Sequence, residues 1–234
     1  VEATNQVLAP LDPEMALLVA NEIKGHGVDL RLGVSVQKIE SDSVVLSDGE
    51  KVSADIVILA IGVRPDVMLA REAGLAIGSR GGIEVDQHNL TSDEHIYALG
   101  DAAEKRDALD QNATLVPLAN IANRHGRVIA DHINGRTTRK VNTIGTAIVK
   151  VFDLAVASTG WNEKRLRAAK IAYRAIHTHP GSHAGYYPGA ETLALKILIS
   201  PDTGEIYGAQ GVGKEGIDKR IDVIATAIRG GILA

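Results

Sequence analysis

The 234-residue chain contains no cysteine. This absence excludes a disulfide framework, and it excludes thiol chemistry carried out by this chain alone. The sequence also lacks an apolar run long enough to cross a membrane, and its amino terminus has no basic flank followed by an apolar segment. We therefore expect a cytoplasmic protein with no membrane partner and no visible signal peptide.

An excess of basic residues is missing as well. The formal net charge is -4, and charges of both signs are interspersed, so no basic stripe for nucleic acid is present. With 45% hydrophobic and 23% charged residues, the composition is that of a globular chain. Its length allows two domains or parts of several.

Two glycine-containing patches stand out against this background. They are AIGVRPD (residues 60–66) and YALGDA (residues 97–102), with Gly62 and Gly100 lying 38 residues apart. Each patch ends an apolar run that reads as a buried strand, at residues 55–61 and 95–99. Glycine at the carboxyl end of such a strand lets a bulky ligand approach the backbone, where open α/β sheets bind cofactors. The pairing predicts a nucleotide-type cofactor.

AIGVRPD followed by TSDEHIYALGDA (residues 91–102) resembles the paired signature of the flavin-dependent pyridine nucleotide-disulfide oxidoreductases. The resemblance implies an α/β fold with Rossmann-like domains for FAD and for NAD, followed by an α+β dimerisation domain. In that family the aspartate matching Asp101 hydrogen-bonds the ribityl hydroxyls of FAD, beside Gly100, and Gly62 lies on the NAD side. Taken alone, Asp101 is equally compatible with a simple helix cap.

The amino-terminal residues suggest the tail of a strand whose beginning is missing. Asp12 and Pro13 then form an N-cap and first-turn pair that opens a helix. The resemblance places Glu2 where an acidic residue holds the adenosine ribose of NAD, which favours NADH and leaves NADPH possible. Alternatively, Glu2 is a solvated terminal carboxylate. Because the glycine-rich turn and the redox cysteine of the family are absent, we expect a fragment that is inactive by itself.

Three regions are predicted from the pattern. Residues 1–62 match the remainder of an NAD-binding domain, residues 63–138 the second half of an FAD-binding domain, and residues 139–234 a dimerisation domain that we expect to be truncated at its carboxyl end. Predicted strands lie at residues 28–32, 34–39, 43–46, 55–61, 146–152, 155–159, 171–176, 193–199 and 206–210, with a turn at residues 47–50. The last helix carries an isoleucine stripe at Ile217, Ile221, Ile224 and Ile228.

A helix is predicted over residues 118–133, with Pro117 before it and an apolar face of Leu118, Ile121, Ala122, Val128, Ile129 and Ile133. Its start leaves backbone N–H groups and the positive end of the helix dipole at Leu118 and Ala119. These groups can stabilise negative charge on a reduced flavin, and the resemblance places them at the flavin ring. An ordinary helix start capped by water is the alternative.

A narrower resemblance is found in HAGYYPGA (residues 183–190) and VGKEGIDKRIDV (residues 212–223). Both are similar to the dimerisation domain of coenzyme A-disulfide reductases, NADH oxidases and NADH-dependent persulfide reductases. It implies a homodimer in which Tyr186 or Tyr187 reaches the partner's redox cysteine, where a phenol can donate a hydrogen bond. The alternative is that the two aromatics pack a turn before Pro188.

Asn123 departs from this subgroup, because a histidine that contacts coenzyme A is expected at its position. The sequence therefore supports the family more strongly than it supports a coenzyme A disulfide or persulfide as the substrate. Reduction of oxygen or peroxide is the alternative.

Two further patterns resemble ligand sites. Residues 211–216 fit a dinucleotide fingerprint without its context, so a tight turn into an interface helix is favoured. His177, His179 and His183 share one loop, but no cysteine or nearby carboxylate completes a tetrahedral set, so we predict no metal. A function of another class also remains, a non-catalytic dimerisation module without cofactor.

Overall fold

The computed structural model describes residues 1–138 and 142–234. Its helices are α1 (Pro13–Gly25), α2 (Met68–Glu72), α3 (Ala119–Ile133), α4 (Glu163–Ala168) and α5 (Ile217–Gly230), and a 3-10 helix spans Gly100–Ala102. Its strands are β1 (Val36–Ile39), β2 (Ser43–Leu46), β3 (Lys51–Ser53), β4 (Lys105–Arg106), β5 (Ala113–Thr114), β6 (Ala147–Val151), β7 (Leu154–Gly160), β8 (Arg174–Thr178), β9 (Ala194–Ile199) and β10 (Ile206–Gly213).

The chain forms two compact units, one of Val1–Ala60 with Thr146–Ala234 and one of Ile61–Gly145. Both helices and strands are present, which agrees with the α/β prediction. The predicted start of the dimerisation domain, residue 139, lies outside the described residues.

An antiparallel sheet in the order β6-β7-β10-β9-β8 is the centre of the first unit. Helix α5 packs on this sheet through its isoleucine stripe. Ile217, Ile221 and Ile224 are buried in one core cluster, and Ile228 packs against it. A stripe spaced at three and four residues lies along one face of a helix, so burial of that face is the expected driving force. The predicted strands of this region and the last helix are confirmed.

Helix α1 packs against the same sheet. Its buried residues Met15, Ala16 and Val19 share a cluster with Val156 and Val212. Pro13 occupies the start of the helix, where its missing N–H costs no hydrogen bond.

The side chain of Asp12, next to Pro13, makes no cap hydrogen bond to its own helix. Its carboxylate instead accepts hydrogen bonds from the backbone N–H of Glu163, at 3.0 Å, and from Nε2 of Gln210, at 2.6 Å. The cap position was predicted correctly, but the carboxylate serves the start of α4.

A second sheet of the first unit has the antiparallel order β1-β2-β3. The predicted turn at residues 47–50 joins β2 to β3, a strand that the sequence reading missed. Residues 28–32 give only an isolated bridge between Leu32 and Glu2, so the strand predicted there is wrong.

The strand predicted at residues 55–61 is also wrong. These residues form no strand in the described part of the chain, and Ile56, Ile58 and Ile61 are 82%, 84% and 88% exposed. An apolar run predicts burial, but a strand also needs a neighbouring strand to take up its backbone hydrogen bonds. The described residues bring no such neighbour to this segment.

The second unit contains α2, the two-stranded sheet of β4 and β5, the 3-10 helix and α3. Helix α3 confirms the prediction for residues 118–133, with Ile121, His125, Val128 and Ile129 buried. Ile133, predicted on the apolar face, is 64% exposed. The strand predicted at residues 95–99 is wrong, because only an isolated bridge between Tyr97 and Leu90 forms there.

Candidate functional site

The turn after Leu99 presents backbone and carboxylate to solvent. Gly100 begins the 3-10 helix with φ +76°, a conformation that L side chains rarely adopt. A Cβ added at Gly100 would meet nothing within 4 Å, so the space beside this glycine is open. Asp101, the next residue, is exposed. The turn therefore leaves room for a ligand at the position where the sequence predicts one.

Lys105 stabilises this turn by hydrogen bonds, a role that the sequence did not predict. Its ammonium is buried and donates hydrogen bonds to the carbonyl oxygens of Gly100 and Ala103, the latter at 2.9 Å. Burial lowers the pKa of Lys105, while the nearby Asp101 carboxylate acts to raise it. No periodic or motif signal in the sequence marks a lysine for this role.

Helix α3 is in contact with the same 3-10 helix. Leu118, the N-cap residue, donates its own N–H to the carbonyl of Val116 at 2.9 Å, so this amide is engaged. The N–H groups of Ala119 and Asn120 have no acceptor among the described residues, and both residues are exposed. Free amides and the helix dipole make this end electropositive. The structure thus places Gly100 and Asp101 beside the helix that begins at Ala119.

Side-chain hydrogen bonds fix the segment before the turn against α3. Nδ2 of Asn89 donates to the carbonyl of Ala98 at 3.0 Å and lies 3.1 Å from Nδ1 of His125, and Asn89 and His125 are both buried. The Tyr97 hydroxyl lies 2.9 Å from Nδ1 of His132. These contacts fix the residues just before Gly100, Tyr97 and Ala98, against α3.

Glu2 belongs to the first unit. Its Oε1 accepts hydrogen bonds from the backbone N–H and the hydroxyl of Thr4, both at 2.8 Å. The backbone bond and then the hydroxyl bond lower the pKa of Glu2 below its ordinary value. Its backbone N–H donates to Arg31.

Gly62 and Asn123 belong to the second unit. Gly62 has φ +91° and open space around it, which agrees with a position that requires glycine. Asn123 is exposed on α3, one turn after its start.

Tyr186 and Tyr187 project from a loop of the first unit. Tyr186 is 92% exposed and Tyr187 is 66% exposed, so neither packs in the interior. The ring of Tyr187 meets the imidazole of His183 edge-on, with the ring centroids 5.7 Å apart. The alternative in which the two rings pack a turn accounts for this one contact and leaves Tyr186 unexplained.

The glycines of residues 211–216 serve packing. A Cβ added at Gly211 would lie 3.2 Å from the Ile217 side chain, and one at Gly213 would lie 2.7 Å from Leu193. Both glycines are buried residues of β10, closely packed against Ile217 of α5 and Leu193, and lack room for a nucleotide. A tight turn does lead into α5, with Gly216 as its N-cap, and the place of this helix at an interface stays a prediction.

Two groups of side chains in the described residues have potential metal-ligand atoms close together, Glu22 with His26 and Asp153, and Asp12 with Glu14 and Glu163. The ammonium of Lys196 already binds all three carboxylates of the second group. His177 lies in β8, and its Nε2 is 3.2 Å from a carboxylate oxygen of Glu14, so the prediction that these histidines have no nearby carboxylate is wrong. None of His177, His179 and His183 is in either group.

Two protein-family models match this chain. The model of the pyridine nucleotide-disulphide oxidoreductases matches residues 1–126, and that of their dimerisation domain matches residues 146–234. The chain belongs to this family. The resemblance to this family is thereby confirmed.

Relatives within the family carry several activities in their names. An NADH oxidase of Methanocaldococcus jannaschii is 34% identical over 232 residues, which cover 97% of this chain and 51% of that protein. The crystal structure of reduced Bacillus anthracis CoADR-RHD superposes with a TM-score of 0.97 at 47% identity, over 99% of this chain and 42% of that one. The NAD-dependent persulfide reductase from A. fulgidus gives a TM-score of 0.95 at 39% identity, over 99% and 44%.

The chain spans about half the length of the curated relatives it matches, which include coenzyme A disulfide reductases of Staphylococcus. The predicted fold class, a part of a pyridine nucleotide-disulfide oxidoreductase with a dimerisation domain, is confirmed. The boundaries at residues 62 and 138 and the roles of single site residues stay predictions. No helix in the described ranges is both long and apolar enough to cross a membrane.

Proposed function

We propose that this chain is part of a homodimeric FAD enzyme that uses NADH to reduce a coenzyme A disulfide or persulfide. In the disulfide reaction, one hydride and one proton convert the disulfide to two coenzyme A thiols, and NADH becomes NAD⁺. FAD held at this site would supply the acceptor for the hydride, and the two electrons would then reduce the mixed disulfide that a cysteine forms with one half of the coenzyme A disulfide as it releases the other half. That cysteine lies outside this chain, and such thiol chemistry suits the reducing cytoplasm.

One observation carries the proposal, the open turn at Gly100 and Asp101 in contact with α3, a helix whose first amides, at Ala119 and Asn120, are free. A carboxylate with fixed acceptor oxygens suits the hydroxyl groups of a ribityl chain. The unpaired N–H groups of Ala119 and Asn120 suit an electron-rich ring edge, because both residues are exposed and their amides have no acceptor among the described residues. The residues present therefore fit FAD. Lys105 holds the turn in place and adds positive charge near Asp101.

Glu2 is assigned to the nicotinamide cofactor. An ionised carboxylate, kept charged by Thr4, accepts hydrogen bonds from ribose hydroxyls and repels the additional 2′-phosphate of NADPH. This charge is why NADH is favoured over NADPH.

The loop of residues 183–190, which carries both tyrosines and is called the tyrosine loop below, is assigned to the partner subunit's site. Tyr186 and Tyr187 are exposed although they are large aromatics, as expected of side chains that meet another subunit. A phenol hydroxyl beside the partner's cysteine can donate a hydrogen bond to the departing sulfur.

An alternative is an NADH oxidase or peroxidase that reduces oxygen or peroxide at the flavin. Asn123 favours this reading, because an amide replaces the titratable histidine expected to contact coenzyme A. The Methanocaldococcus jannaschii relative carries the name NADH oxidase.

The coding sequence upstream of Val1 provides the first test. A glycine-rich turn and a cysteine are expected there, and an upstream sequence with neither would contradict the proposal. The intact protein is then purified and assayed with NADH against coenzyme A disulfide, a coenzyme A persulfide, peroxide and oxygen. Preference for either coenzyme A substrate supports the main reading, and preference for oxygen or peroxide supports the alternative.

The 234-residue chain itself tests the fragment expectation. Mixed with FAD and NADH, it is expected to show no thiol release, and robust turnover would overturn this. A colourless dimer of the intact protein, without flavin, would favour the non-catalytic dimerisation module.

A further inference from the structure

The side chain of Arg220 joins α5 to the base of the tyrosine loop. Its Nη2 donates to the carbonyl oxygens of Gly181, at 3.0 Å, and Ser182, at 2.9 Å. Its Nη1 lies 3.4 Å from the carbonyl oxygen of Gly216, one turn earlier in the chain. One guanidinium thus holds two successive backbone groups on the loop and one at its own helix start.

The two ends of the loop meet at this point. Ser182 donates its N–H to the carbonyl of Glu191, and its hydroxyl accepts the N–H of Glu191, at 2.8 Å and 3.0 Å. Gly181 and Thr192 form an isolated antiparallel bridge. Residues 183–190, which include both tyrosines, project beyond this neck. Arg220 therefore acts where the loop's direction is set.

Helix α5 gives Arg220 a rigid base. Ile217 and Ile221, on either side of it in sequence, are buried in the core of the five-stranded sheet. The left-handed Gly216, with φ +75°, leaves room for the guanidinium, because an added Cβ would lie 3.0 Å from Nη1. A planar fork with several donors can hold neighbouring carbonyls at once, and the single ammonium of lysine does this less well.

We infer that Arg220 is a positioning residue that sets the direction of the tyrosine loop, and that it acts on the partner's reaction through Tyr186 or Tyr187. The assignment rests on the proposed function only in this last step. The mechanical step, from Arg220 to the loop, is independent of any activity.

The mechanical step is tested in the 234-residue chain by amide hydrogen exchange. Arg220→Ala is expected to speed exchange at residues 182–192 about tenfold or more, since a charge-assisted hydrogen bond is lost at two carbonyls. Arg220→Lys is expected to restore part of the protection. Lys219→Ala, at the exposed neighbouring position, is the matched control and should leave the loop unchanged. Unchanged loop exchange in Arg220→Ala, or equal loss across the whole sheet, would overturn the inference.

The catalytic step is tested in the intact protein with NADH and the preferred substrate. Arg220→Ala is expected to lower kcat for the sulfur substrate about tenfold, with KM for NADH and flavin content unchanged, and Arg220→Lys should recover part of the rate. The double variant Tyr186→Phe with Tyr187→Phe should reproduce that loss. If Arg220→Ala loosens the loop but neither it nor the double variant lowers kcat, the role proposed for the tyrosines fails while the positioning of the loop stands.

Discussion

Lys196 and Asp12 form an ion pair of 2.9 Å between side chains that are both fully shielded from solvent. The same ammonium also binds the carboxylates of Glu14 and Glu163, and Gln210 donates to Asp12. The pair connects the start of α1 to β9, almost two hundred residues later in the chain. A buried charge needs such compensation, because leaving one partner alone in the interior is costly.

Replacing Lys196 by methionine should destabilise the chain. The variant keeps the length of the side chain but leaves three carboxylates facing one another without their cation. We expect a loss of about 3–5 kcal/mol in the free energy of unfolding, measured by urea denaturation at neutral pH. Lys214→Met is the matched control, because its ammonium is exposed and lies 3.9 Å from Glu191. A loss no larger than that of the control would show that the buried cluster contributes little.

Stability should fall on the acid side. Burial raises the pKa of Glu163, but hydrogen bonds from Lys196 and Tyr173 outweigh it, and the net pKa lies below its ordinary value of 4.5. The pKa of Glu14 is lowered in the same way. A carboxylate with a lowered pKa contributes stability above the ordinary value and loses it as pH falls through the lowered one. We expect the urea midpoint to decline below about pH 4.5.

Glu163→Gln should make this acid decline shallower, and the exposed variant Glu205→Gln should leave it unchanged. An unaltered profile in Glu163→Gln would assign the acid sensitivity to other groups.

On the alkaline side, burial lowers the pKa of Lys196, but its carboxylate partners raise it above 10.5 overall. Its contribution is therefore present below pH 10.5 and lost only as pH rises through the higher folded value.

Gly100→Ala should separate backbone strain from ligand contact. The left-handed backbone makes alanine cost about 1–2 kcal/mol, although its Cβ meets no protein atom. In the intact protein we expect that Cβ to project toward the flavin and to reduce FAD content strongly. Gly74→Ala is the control, with φ +74° and open space in the same unit. Equal flavin content in the two variants would contradict a flavin site at this turn.

Glu2→Ala should shift the nicotinamide preference of the intact protein toward NADPH. Removing the charge removes repulsion of the 2′-phosphate, and we expect the ratio of kcat/KM for NADPH over NADH to rise about tenfold. Thr4→Ala is the control, because it removes a hydrogen bond to Glu2 but keeps the carboxylate. A similar shift in both variants would point to loop structure as the cause.

Local sequence patterns predicted much of the secondary structure. The isoleucine stripe of α5 and the short strands of residues 146–213 were readable because their periodicity reports which side faces a core. The apolar run at residues 55–61 was misread for the opposite reason. Its composition is that of a buried strand, but pairing depends on neighbours that no local pattern specifies.

The sequence by itself determined the family, the glycine and aspartate at the candidate flavin turn, and the faces of the long helices, because these depend on residue type and short-range spacing. Only the tertiary structure decided that Lys196 is buried, that Asp12 accepts a hydrogen bond from the first residue of α4, that Lys105 supports Gly100, and that Arg220 reaches the tyrosine loop. In each case a polar side chain meets its partner through the packing of the chain, and residue type alone leaves that partner open. From sequence alone a charged residue is predicted to be exposed, because its ion-pair partners become known only from the fold.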